Sequence, residues 1–154
     1  MSEKKERLKN AVFNAVLISA TLVLVFISAF YHIMSFNGSE YSAEEYAVIT
    51  AVITIIGEIG VLVIAYLHGR RLVSAFSAFL FGACTVCYFI IALSGASALG
   101  GEGTDALLLV LTFPSEAFAS IGRGTVTPGI ITLVITILSV AAAVIPRRGR
   151  EEGK

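Results

Sequence analysis

Glu58 is the residue in this chain with the clearest chemical potential. It interrupts a run from Ala47 to Leu67 that is otherwise free of charge. A carboxylate at the centre of a bilayer costs at least about 2.5 kcal/mol, and such residues mark ion and proton pathways. Ala47, Ala51, Thr54, Glu58 and Ala65 recur at helical spacing. Glu58 therefore lies on a small-residue face, where transmembrane helices approach one another. The chemistry open to it is uptake and release of a proton, or binding of a small cation. The structural alternative is a protonated acid bonded near Thr54 or to a neighbouring helix.

The other apolar runs carry matching stripes. The first has Asn14, Thr21 and Ser28, seven apart, then His32; the third has Ser74, Ala78 and Gly82, then Thr85. The last has Gly129, Thr132, Thr136, Ser139 and Ala143. By residue count Thr21, Glu58, Thr85 and Thr136 share one depth, so with Thr54 they make the candidate transport site. Hydroxyl stripes are also ordinary glue between transmembrane helices, at about 0.6 kcal/mol per bond.

Cys84-Thr-Val-Cys87 resembles, over these four residues, the CxxC of four-helix membrane thiol oxidoreductases of the vitamin K epoxide reductase and disulfide-bond-forming types. The resemblance implies redox chemistry at Cys84 and Cys87. A relay of that kind uses a second cysteine pair, and the chain has only these two cysteines. A reactive thiolate also needs a helix N-terminus or a cation nearby, whereas this pair lies about twelve residues into its run. At 100° per residue the two cysteines fall about 200° and 140° from Gly82, off the seam. Buried structural thiols are the expectation.

His32 and His68 stand at opposite ends of their runs, a membrane thickness apart at 1.5 Å per residue, so one haem or metal cannot join them. Gly100-Gly101-Glu102-Gly103 and Gly122-Arg123-Gly124 lack the strand-to-helix context of a phosphate cradle and read as loops. No cofactor and no metal site is expected.

The elements that must position these residues follow from composition. Hydrophobic residues make up 56% of 154 and charged residues 14%, with mean hydropathy +0.89, against about 25% charged in soluble domains. Eleven basic residues balance eleven acidic ones, which removes a nucleic-acid binder resting on net charge. Runs over about 11–33, 47–67, 72–95 and 129–145 are long enough to cross a bilayer as helices, which need about 17–25 residues. The first is too long for the apolar stretch of a signal peptide, about 7–15 residues. The expected fold is thus an all-α membrane protein, one domain over 1–154, built as a four-helix transmembrane bundle.

Ten of the eleven Lys and Arg residues fall on one side of that arrangement: before run one, at Arg70 and Arg71, and after run four. Only Arg123 falls on the other, with six acidic residues. The positive-inside rule puts both termini in the cytoplasm of a multi-pass cell-membrane protein. The second outer loop, 96–128, holds eight uncharged residues, Ala106 to Phe113, too short to span and too apolar for water. A re-entrant or interfacial segment is expected there, ended by Pro114. A second short helix follows from Ser115, with Phe118 and Ile121 on one face.

Two functions are expected from this. One is movement of a proton, cation or small solute through a mid-membrane carboxylate. The other is a non-catalytic tetraspan scaffold or accessory subunit of a membrane complex. A thiol oxidoreductase is a distant third. The partners expected are the lipid bilayer and either further copies of the chain or another membrane subunit, with no nucleic acid.

Overall fold

The computed structural model describes residues 3–37, 42–94, 111–121 and 126–146. The described residues form α1 (Glu3–Asn37), α2 (Ser42–Leu67), α3 (Arg71–Ser94), a 3-10 helix (Phe113–Ile121) and α4 (Val126–Val144). The α-helices are the four that are long and apolar enough to cross a membrane, so the chain is an all-helical, multi-pass membrane protein. Large apolar side chains point outward on every helix, among them Phe26, Ile56, Phe79 and Val134. In water that surface would be untenable; facing lipid it is the expected one.

The boundaries differ from the apolar runs where polar residues are good helix formers. α1 begins eight residues before Ala11 because Glu3-Lys-Lys-Glu-Arg-Leu-Lys propagates the helix, with an Arg7–Glu3 ion pair at 2.5 Å one turn apart. At 1.5 Å per residue its 35 residues reach about 52 Å, beyond a hydrocarbon core of about 30 Å. α2 likewise starts at Ser42 and α4 at Val126, where Pro128 is tolerated in the first turn.

α2 and α3 are joined by a tight reversal at Gly69, whose φ of 65° is left-handed. Arg70 N donates to Ala65 O (2.7 Å) and Gly69 N to Tyr66 O (3.1 Å), the two bonds of a Schellman cap. Arg70 Nη2 then donates to Asn10 Oδ1 at 2.8 Å, tying this turn to the first part of α1. The Arg70 guanidinium lies 5.1 Å from the Phe13 ring, which packs 5.2 Å from His68.

α1 packs chiefly on α2, and α3 chiefly on α4, giving two helical hairpins. Glycines set the closest approaches. A Cβ on Gly57 would stand 2.6 Å from Leu24 Cδ1, and one on Gly129 would stand 3.2 Å from Tyr88 Cβ. The hairpins touch each other less, and the 3-10 helix packs against all four helices between them. Its anchor is Phe118, fully buried and stacked on Phe81 at 6.3 Å.

Leu111 and Thr112 are α-helical and the 3-10 helix takes over at Phe113, so the α-helical stretch ends just before Pro114. The second short helix starts at Phe113, two residues before Ser115. Phe118 and Ile121, three apart in a 3-10 helix, share a face; Phe118 is buried, while Ile121, at the element's last residue, is exposed. The run Ala106–Val110 lies outside the described residues, as do the glycine-rich 100–103 and 122–124 and the side chain of His32.

Candidate functional site

Glu58 sits where α1, α2 and α3 meet, with no solvent exposure. It is the only buried acidic or basic residue among the described residues. Ser77 Oγ on α3 donates to Glu58 Oε1 at 2.5 Å. Thr21 on α1 lies beside the same carboxyl, yet Thr21 Oγ1 and Glu58 Oε2 each complete no hydrogen bond. One carboxyl oxygen is thus bound and the other is open, enclosed by protein.

One turn away, Thr54 Oγ1 lies 2.8 Å from Thr50 O and 3.3 Å from Leu24 O on α1. That contact spans the seam opened by Gly57, so α1 and α2 are held at fixed register just beside the carboxyl. Thr21 and Glu58 therefore stand side by side, and Thr54 lies one turn along α2 from the carboxyl. Thr85 and Thr136 are placed otherwise. Thr85 donates to Phe81 O at 2.9 Å and Thr136 to Thr132 O at 2.7 Å, each within its own helix. The Thr136 methyl packs 3.5 Å from where Gly82 would carry a Cβ. Both are helix-packing residues of the α3–α4 hairpin.

Ser77 is the partner that the stripe on α3 does not include. The stripe followed Ser74, Ala78 and Gly82, whereas the face toward α2 runs Ser74, Ser77, Phe81. Ser77 is only about 60° from Ser74 around the helix. The missed signal is that a residue three after a seam position shares its face as fully as one four after it.

The cysteines also sit closer to the core than their angle from Gly82 implies. Both are free and buried. Cys84 Sγ lies 3.3 Å from Leu80 O and 3.2 Å from Leu111 O, so it helps hold the segment before the 3-10 helix. The buried face of α3 is widened by that segment, a wall no heptad count contains. Tyr88 has a similar role: Ser115 Oγ lies 3.4 Å from its hydroxyl. His68 is exposed at the end of α2, its Nδ1 2.9 Å from Ile64 O. No group of three or more His, Cys, Asp or Glu side chains that could hold a metal occurs among the described residues.

Apolar clusters flank the carboxyl. Val25, Ala51, Leu62, Phe81, Phe118 and Ile135 form one, capped by the 3-10 helix. Leu17, Val61, Ala65 and Val73 form the other, toward the α2–α3 turn. An acid in such a setting has little dielectric screening, so each polar atom around it counts heavily. The chain matches no known protein family, no curated protein and no solved structure.

Proposed function

We propose that this protein is a small membrane carrier in which Glu58 takes up and releases a proton, or a small cation in its place. The observation that carries the reading is the half-satisfied carboxyl. Glu58 is fully enclosed between three helices, bound at Oε1 by Ser77 and open at Oε2 beside Thr21. A carboxyl kept only for packing would be expected to have both oxygens satisfied, because each buried unpaired polar group costs about 1–3 kcal/mol. Complete enclosure favours a very small cargo. Both termini and the α2–α3 turn are assigned to the cytoplasm of the cell membrane, on the distribution of Lys and Arg. The segment through Phe113–Ile121 is assigned as re-entrant, because its Phe118 reaches Phe81, ten residues into α3. The exposed apolar faces suit a homo-oligomer or a partner membrane subunit.

The experiment is flux in reconstituted vesicles with wild type and Glu58→Gln. Gln keeps size and hydrogen-bonding capacity, so insertion and folding persist, while pH-dependent proton or solute flux is lost. Equal flux across a range of pH in both proteins would reject the carrier and leave a non-catalytic tetraspan scaffold. The hydroxyls of Thr85, Thr132, Thr136 and Ser139, all returned to their own helices, would suit that role equally well.

A further inference from the structure

α2 and α4 touch each other far less than α3 and α4 do. The last turns of α4 read Val140-Ala-Ala-Ala-Val144, so Ala141 and Ala142 face α2 where larger side chains would close the gap. An apolar groove of about 270 Å³ is left, walled by Ile59 to Leu67 on α2 and by Leu138 to Ile145 on α4. Eight residues at 1.5 Å per residue make it about 12 Å long. That is close to half of a hydrocarbon core of about 30 Å, the depth of one leaflet. A helix about 10 Å across would fill about three times the groove's volume over the same length. The groove is the width of a chain and not of a helix.

Positive charge stands at one end of it. Gly82 faces Thr136 and Gly129 faces Tyr88, so α3 and α4 run antiparallel. The first residue of α3, Arg71, therefore comes level with the residues just after Ile145. At 100° per residue Arg71 is only about 20° around α3 from Gly82, on the side toward α4. It also follows Leu67 by four residues, across the Gly69 turn. Both walls of the groove thus end beside Arg71. Arg70 is committed to Asn10 and Phe13, whereas Arg71 is exposed and makes no hydrogen bond or ion pair among the described residues. In the chain Arg147 and Arg148 follow Ile145 closely, ahead of the first acid, Glu151. Tyr66 lines the groove near the same end, where an amphipathic ring suits the headgroup level. Another apolar groove, about 430 Å³ between α1, α3 and the 3-10 helix at Val23, Leu80 and Phe113, has no basic residue within two turns along any of its elements.

We propose that the α2–α4 groove holds one acyl chain of an anionic phospholipid whose phosphate is bound by Arg71. Basic pockets between transmembrane helices recognise such headgroups, and a guanidinium with its donors free meets a phosphate with two parallel hydrogen bonds. The lipid comes from the leaflet at the α2–α3 turn. Its chain fills the gap that Ala141 and Ala142 leave between α2 and α4. The site is independent of the role of Glu58.

The test is native mass spectrometry of the full chain in detergent, titrated with phosphatidylglycerol or with phosphatidylcholine of the same palmitoyl and oleoyl chains. Wild type should retain one phosphatidylglycerol per chain at concentrations where phosphatidylcholine is lost. Arg71→Gln, at an exposed position, should weaken phosphatidylglycerol about fivefold, the effect of one charge near an anionic headgroup, and leave phosphatidylcholine unchanged. Ala142→Phe fills the groove and should abolish the retention, while Val23→Phe in the other groove should not. Equal retention of the two lipids by wild type overturns the proposal, and so does an Arg71→Gln protein that keeps the wild-type preference. A wild-type dimer that Ala142→Phe dissociates also overturns it, since the groove then holds a second copy. Should Ala142→Phe not fold, the comparison of wild type with Arg71→Gln decides alone.

Discussion

Glu58 and its hydroxyl partners decide more than any other residues here. Ser77→Ala removes the donor on Oε1 without opening a large space, so the fold should survive at a cost of about 1 kcal/mol. Thermal melting in detergent against wild type reads that cost, and flux should change far more than stability does. Glu58→Asp keeps the acid but shortens its reach by one methylene, pulling it from Ser77; partial flux with an altered pH profile is the expected outcome. The cysteines give a contrasting prediction. Cys84→Ser with Cys87→Ala should insert, fold and work nearly as wild type, because Ser can still donate to Leu80 O or to Leu111 O. Impermeant thiol reagents should label neither cysteine of the native protein, as both are buried. Lost activity with folding intact would return the redox reading to first place.

At the scale of elements, the 3-10 helix joins two hairpins that otherwise touch sparingly, and Phe118 is its keystone. Phe118→Ala removes roughly 100 Å³ at about 24 cal/mol per Å³, so it should destabilise the assembly by about 2 kcal/mol. Transfer from water adds little inside lipid, so cavity formation dominates the loss. The same change thins the apolar wall above Glu58, and leak of protons through the reconstituted protein should rise. Tight flux with lowered stability would make the segment a cap and no more. Gly57 tests the other seam. Val at this position drives its side chain into Leu24 and parts α1 from α2. Overpacking of this kind costs about 1–3 kcal/mol, and the Thr54–Leu24 contact should be lost with it.

For the whole molecule the prediction is one of sidedness. Reporter fusions after Arg71 and at Lys154 should read cytoplasmic, and fusions near Ser39 and Gly103 should read external. The Arg70–Asn10 bond already brings the start of α1 and the α2–α3 turn to one end, and the basic residues cluster in those same places. An external C-terminus would require an odd number of spans and a different path for Ala106–Phe113.

Four spanning helices and a buried Glu58 on a small-residue face were legible in the sequence. Both rest on one-dimensional quantities: the number of apolar residues needed to cross a bilayer, and the 100° advance of a helix. Those quantities say which residues share a face of one helix, but not how one helix is turned toward another. Hence Thr21 and Thr54 were found and Ser77 was not, while Thr85 and Thr136 were grouped with a carboxyl they do not bind. The core position of Cys84 was hidden for a related reason, since the wall beside it comes from Leu111, twenty-seven residues away. Helix ends escaped where charged residues such as Lys4 and Glu6 propagate a helix that hydropathy alone would stop. The wedge between the hairpins and the Ser77–Glu58 bond exist only in the tertiary structure, because each is made by contacts between segments whose relative rotation and height no local pattern encodes.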